Sequence, residues 1–215
     1  MKHHSLIKLI TSILLVATVW FSFYSLMPSN TIEESNDPTT FNVTNALEQL
    51  KIIAAEPHYT GSEAHRKVET YIVDQLEKMG LAVEIQEDLG VNLKWRAATQ
   101  CRNILARIKG KEDGKALLLL THYDSRSHSS LGASDAGSGV VTILEGIRAY
   151  LAGYPTPRND IIICITDAEE IGLLGANAFV THHPWAKDVG LVLNFEARGS
   201  GGPSYMLMET NGGNK

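Results

Sequence analysis

Three short apolar runs constrain this chain more than any other feature: Ala116–Leu120 (ALLLL), Ile161–Ile165 (IIICI) and Leu191–Phe195 (LVLNF). Without sustained polar alternation, strands built from such runs must be covered on both faces. Helical spacing separates them. Gly139 to Leu151 carries Val140, Ile143, Leu144, Ile147 and Leu151 on one side, and a further helix is read near Leu173–Val180. Upstream, Ala46, Leu47, Leu50, Ile53 and Ala54 share a helical face, as do Val68, Tyr71, Ile72, Leu76 and Met79, with Gly80 placed as a stop. Shorter strand-like runs lie at Ala82–Ile85 and Ile104–Ile108. Buried strands alternating with helices predict an α/β fold, a three-layer αβα sandwich with a mostly parallel mixed central sheet. Ligands bind such sheets beyond the carboxyl ends of their strands.

The N-terminus obeys a different rule. Leu9 to Met27 contains no charged residue, and its 19 residues span about 28 Å as a helix, close to a bilayer's hydrocarbon thickness. Lys2 and Lys8 precede the run, and the next basic residue is Lys51. That asymmetry predicts residues 1–8 on the cytoplasmic side, a membrane anchor at 9–27, and a domain on the non-cytoplasmic side. A cleaved signal peptide is the competing reading, but its apolar region is ordinarily shorter, and no small-x-small site stands near Ser22 to Ser29. Polar residues 28–42 read as a linker and 43–215 as the catalytic domain. Asn42-Val43-Thr44 is a glycosylation sequon, relevant only in a eukaryotic secretory pathway.

A net charge of −5, with no Lys/Arg cluster, argues against nucleic acid as a partner. The two cysteines, Cys101 and Cys164, have neither disulfide-framework nor metal-ligand spacing.

Each apolar strand ends in a polar cluster. THYD brings His122 and Asp124, TDAEEIG brings Asp167, Glu169 and Glu170, and NFEARG brings Glu196. Asp135 stands alone before a glycine-rich helix start. If the strands are neighbours, these groups converge on one sheet edge, where their charge repels itself unless cations neutralise it. Imidazole and carboxylates without thiolate suit zinc or another borderline divalent ion, and the charge count suggests two. Taken singly, each residue has a plainer reading. His122 would be a satisfied strand-end histidine, Asp135 a helix cap, Glu169-Glu170 solvated loop charge, and Glu196 a surface partner of Arg198. Asp167 is read as structural or supporting, and His128, His182 and His183 as exposed loop or helix-end residues.

HYDS, ASDAGSG, DAEEIGLLGA and NFEARGSGG, in this order and spacing, resemble the two-zinc metallo-aminopeptidases of the secreted leucyl aminopeptidase type. The closest resemblance is to the membrane-bound branch that includes the endoplasmic reticulum metallopeptidase. PHYTGSEAHRKVETYIVDQLEKMG (Pro57–Gly80) resembles the segment that opens the catalytic domain there. The resemblance implies a zinc exopeptidase-like fold, peptide substrates and two Zn2+ ions. It implies His122 and Glu196 as ligands of the first zinc, Asp135 as the bridge and Glu170 as a ligand of the second. It makes Glu169 the general base acting on a metal-bridged water, and Asp124 the carboxylate that orients His122.

The pattern is also incomplete. The family supplies a further histidine to its second zinc well downstream of the Glu196 position, and no histidine follows His183 here. The expectation is therefore an N-terminal fragment of such an enzyme. Two alternatives remain: a specialised relative such as a carboxypeptidase or single-zinc glutaminyl cyclase, and an inactive ectodomain-type module.

Overall fold

The computed structural model describes residues 2–26, 35–127 and 129–197. The first helix, α1 (Lys2–Leu26), is a unit by itself. It is long and apolar enough to cross a membrane, by length and composition.

The second unit is built on a five-stranded sheet of β1 (Val83–Asn92), β2 (Ala97–Ile108), β3 (Ala116–His122), β4 (Ile161–Thr166) and β5 (Val189–Asn194), in the order β1-β2-β4-β3-β5. The β1/β2 and β2/β4 ladders are antiparallel, while β4/β3 and β3/β5 are parallel. Only β2 therefore runs against the rest. Helices α2 (Val43–Ile53), α3 (Glu63–Lys78) and α4 (Ser138–Gly153) cover one face, and α5 (Leu174–His182) the other.

Alternation within β4 makes the three layers. Ile163 and Ile165 join Val140, Ile143, Leu144 and Ile147 of α4, with Ile72 and Leu76 of α3, in one cluster. Ile162 and Cys164 pack on the other side with Phe179 of α5. Each such side chain, fully buried, contributes roughly 1.5–3 kcal/mol of transfer free energy. Helices α2 and α3 are capped by side chains: Asn42 Oδ1 accepts from Asn45 N–H at 3.0 Å, and Ser62 Oγ accepts from His65 N–H at 3.1 Å. Gly80, past the end of α3, has φ +81°, the left-handed region where glycine is unstrained.

Chain direction now places the site. From β3 the chain turns to α4 on one face, and from β4 it turns to α5 on the opposite face. The crevice between these departures lies at the carboxyl ends of β3 and β4, which is where doubly wound sheets bind ligands.

Three expectations need correction. The strand-like runs at 82–85 and 104–108 are parts of a longer hairpin, with register running from Val83↔Ala106 to Asn92↔Ala97. Its outer half is mixed in polarity, so cross-strand hydrogen bonding rather than an apolar run defines it. β5 is not buried on both faces: Leu191, Val192 and Leu193 are exposed, because among the described residues β5 pairs only with β3. His183 is buried rather than exposed; it stacks on Phe179 and its Nε2 lies 3.2 Å from Glu84. His128, Arg198 and residues 28–34 of the expected linker lie outside the described residues. Residues 38–42, also read as linker, are tied to α4. Arg148 donates to the carbonyls of Pro38 and Thr40, and Asn42 N–H donates to the buried Glu145. Both cysteines are buried and free.

Candidate metal centre

Thr121 and His122 end β3, and adjacent side chains of a strand point to opposite faces. The strand ends of β3 and β5 are laced together by Phe195 N–H donating to Leu120 O at 2.8 Å and Thr121 Oγ1 donating to Phe195 O at 2.9 Å. That lacing delivers Glu196 to His122, with its Oε1 3.7 Å from Nε2. Gly139, in the first turn of α4, permits this closeness, since a Cβ there would collide with the Thr121 hydroxyl and the Phe195 carbonyl.

Asp135 arrives from the other side. It lies in a short π-turn, Ala133–Gly137, and its peptide to Ala136 is cis. It does not cap the helix: the N-cap of α4 is Gly137, with no side-chain cap. Its carboxylate instead meets His122, Oδ1 lying 3.0 Å from Nε2. Ligand-capable atoms of His122, Asp135 and Glu196 all lie within 4.8 Å of one another. One imidazole nitrogen with two carboxylates fits a zinc-like divalent ion.

The other two acidic positions come from the loop after β4. Asp124 Oδ1 and Oδ2 accept the backbone N–H groups of Glu169 and Glu170 at 3.0 and 3.1 Å. His122 Nδ1 lies 3.0 Å from the Asp124 backbone carbonyl and 3.3 Å from this carboxylate. Asp124 thus orients the imidazole and the Glu169-Glu170 backbone together. Glu169 turns toward the cluster, its Oε2 3.9 Å from His122 Nε2, while Glu170 Oε2 lies 3.8 Å from Arg126 Nε. Adjacent glutamates are thereby given different surroundings. His122, Asp135 and Glu196 form the compact set; Glu170 stands outside it.

Electrostatics follow from this crowding. Burial opposes charge on His122, yet hydrogen bonds and attraction from Asp124, Glu196 and Glu169 raise its pKa to about 11. Glu196 is lowered to about 2 against its burial, through His122 and the Ala197 N–H. Glu169 moves the other way, to about 6, driven by burial and then by Glu196, Asp124 and Glu170 against the pull of His122. Burial and Asp135 raise Glu170. One imidazole faces five carboxylates, so the site demands cationic charge.

Asp167, read from the sequence as structural or supporting, converges here with two residues that reading gave no role, Thr60 and His65. Asp167 is buried and accepts Arg102 N–H at 3.0 Å. Thr60 Oγ1 lies 3.1 Å from Asp167 and 3.4 Å from Asp124, and His65 Nε2 lies 2.9 Å from Asp167. Pro57–Gly80 contains both Thr60 and His65, but nothing in their spacing points across the fold to Asp167.

Comparison with known proteins bears on the family. The model for "Peptidase family M28" matches residues 103–215, more than half of the chain. The vacuolar membrane protease of Candida albicans is 37% identical over 210 residues, covering 93% of this chain and 24% of that protein. The chain thus spans about a quarter of the length of the curated relatives it matches. Among solved structures, the glutaminyl cyclase of Porphyromonas gingivalis superposes with a TM-score of 0.56 at 27% identity, covering 67% of this chain and 54% of that one. A Zn-dependent exopeptidase from Parabacteroides distasonis gives 0.53 at 25% identity, covering 65% and 49%. The strand-end cluster and the matched region coincide, and the chain belongs to peptidase family M28.

Proposed function

We propose that this chain carries the core of a zinc-dependent aminopeptidase that removes N-terminal residues from peptides. The observation supporting this most directly is the His122, Asp135 and Glu196 cluster, with Glu169 beside it. His122, Asp135 and Glu196 hold the first zinc, and Asp135 with Glu170 the protein side of a second. When bound, the metal supplies Lewis-acid polarisation of the scissile carbonyl and acidifies water. Asp124 keeps the His122 ring turned so that Nε2 faces Asp135 and Glu196. Glu169 accepts the proton of the attacking water and delivers it to the departing amine, a task suited to a carboxylate whose pKa is lifted toward neutrality. Asp135 and Glu170 give the cleft a negative rim, which favours a free substrate α-ammonium and hence exopeptidase action.

A second reading has a specific observation behind it. A single compact ligand set is present among the described residues, and a glutaminyl cyclase is among the similar structures. A one-zinc enzyme fits that set equally.

We further propose residues 9–27 as a membrane anchor, with residues 1–8 cytoplasmic and the domain on the non-cytoplasmic side. The vacuolar membrane proteases among the relatives and the apolar α1 support the anchor, and Lys2 and Lys8 ahead of the apolar run support the orientation. Since residues 38–42 are bound to α4, the connecting segment is shorter than 28–42. Zinc titration of the chain, with metal content measured after dialysis, tests the central reading. Two equivalents support the two-zinc aminopeptidase and none overturns both readings; at one equivalent, release of N-terminal residues from peptides supports the aminopeptidase and cyclisation of N-terminal glutamine supports the single-zinc alternative.

A further inference from the structure

Behind the metal cluster lies a second tier of buried polar groups. His122 Nδ1 is 3.3 Å from Asp124, Asp124 Oδ2 is 3.4 Å from Thr60 Oγ1, Thr60 Oγ1 is 3.1 Å from Asp167 Oδ1, and that oxygen is 2.9 Å from His65 Nε2. His122, Asp124, Asp167 and His65 are all buried. Two buried carboxylates, Asp124 and Asp167, therefore face each other across one hydroxyl.

Such an arrangement is costly unless each carboxylate has its own compensation. Asp124 has His122 and the N–H groups of Glu169 and Glu170. Asp167 accepts the Arg102 N–H and faces Thr60 Oγ1; His65 Nε2 lies 2.9 Å from it but makes no hydrogen bond there. His65 is held in turn by stacking on Tyr123 at 4.5 Å, and the Tyr123 hydroxyl donates to Arg102 O at 2.9 Å. Thr60 carries a single hydrogen and can serve only one carboxylate at a time. Its oxygen is the link between the two tiers.

We propose that Thr60, backed by Asp167 and His65, is a positioning device that fixes the Asp124 carboxylate, and through it the direction in which His122 presents Nε2. This rests on the reading of His122 as a metal ligand, but the network itself is independent of that reading. Without the hydroxyl, Asp124 and Asp167 would face each other unscreened; the Glu169 and Glu170 N–H groups and the Asp124 carbonyl, 3.0 Å from His122 Nδ1, would remain, so the expected effect is a displacement of the Asp124 carboxylate oxygens relative to Nδ1. Surroundings of a metal-ligating histidine typically influence affinity by about 10–100-fold. A cavity of about 120 Å³, lined by Thr60, His65, Thr99, Gln100 and Asp167, adjoins the link.

The experiment compares Thr60→Val, which keeps the shape but loses the hydroxyl, with Thr60→Ser, which keeps the hydroxyl, in the full chain in detergent. Two readouts are used: zinc affinity by competition with a chromophoric chelator, and the NMR resonance of the His122 Nδ1 proton in the zinc-free chain. Thr60→Val is expected to weaken zinc about tenfold and to move or broaden the imidazole proton. Thr60→Ser is expected to stay within about twofold of the parent and to keep the resonance. Equal behaviour of the two variants, whether both weakened or both unchanged, overturns the proposal. If the parent binds no zinc, the metal reading fails, and the proton resonance alone decides the network. If Thr60→Val does not fold, His65→Gln is measured beside Thr60→Ser. An unmoved His122 proton and unchanged zinc affinity in His65→Gln would then overturn the relay.

Discussion

His122 is gripped at both ring nitrogens by aspartates of opposite character. Asp124, two residues on and buried, lies 3.3 Å from Nδ1, while Asp135, half exposed and thirteen residues on, lies 3.0 Å from Nε2. The buried contact fixes the ring, and the exposed one faces the cleft with Glu196. An imidazole held in this way is pre-oriented before any ion arrives, so little reorganisation accompanies binding.

Removing metal should therefore cost stability more than shape. Zinc at about a hundred times its Kd stabilises a folded state by about 2.7 kcal/mol. Thermal unfolding with zinc, then with excess chelator, should show Tm falling on chelation and returning when zinc is restored. In His122→Ala the difference should vanish. A Tm indifferent to zinc in the parent chain would contradict a metal centre.

Glu169 and Glu170 should separate cleanly by mutation. Glu169→Gln keeps size and hydrogen-bonding capacity but removes the proton acceptor. Zinc affinity should stay near the parent value while peptide hydrolysis falls by roughly 10²–10⁴-fold. Glu170→Gln should lower metal content at the second site instead. Dialysis followed by metal analysis, run beside a peptidase assay, distinguishes the two. Full activity in Glu169→Gln would remove it from the mechanism.

Gly139→Ala should damage stability and site together. The new methyl group meets the Thr121 hydroxyl and the Phe195 carbonyl, which hydrogen-bond each other at 2.9 Å. Overpacking of this kind costs roughly 1–3 kcal/mol. Because that bond sets Glu196 beside His122, zinc affinity should drop as well. Denaturant unfolding and zinc titration measure the two effects, and an unchanged variant would mean the strand ends are not closely packed.

Acid should unfold the domain partly through Asp160, which lies just before the amino-terminal end of β4, opposite the strand ends that carry the metal cluster. Its burial favours the neutral acid, but the Gly110 N–H, Arg107 and Lys109 overcome this and lower its pKa below the ordinary value. A carboxyl depressed in the folded state adds stability that is complete above its unfolded pKa and lost as pH falls through the folded one. Asp160→Asn should be less stable at pH 7, by about 1–3 kcal/mol. The difference from the parent should shrink below about pH 4. Urea unfolding at pH 7 and pH 3 checks the sign; a gap that widens in acid would refute it.

Much of this was legible in the chain itself, for a physical reason. Ile161–Ile165 has no polar position to turn outward, so it requires cover on both faces, and β4 receives it from α4 and α5. The stop at Gly80 acts within one helical turn, so local sequence suffices. The acidic strand ends were also readable, because burial of the preceding run dictates where the chain emerges. What local pattern could not carry were relations across the fold. The outer half of the β1–β2 hairpin depends on register with a partner strand, and the exposure of β5 depends on its place at the edge. His183 is buried because Glu84, Phe179 and Trp185 surround it. The grouping of His122, Asp135 and Glu196 without Glu170, and the tie from Thr60 to Asp167 107 residues away, exist only once β3, β4 and β5 lie side by side. Sequence determines which residues must leave water, whereas only the packed sheet determines which polar groups they carry together.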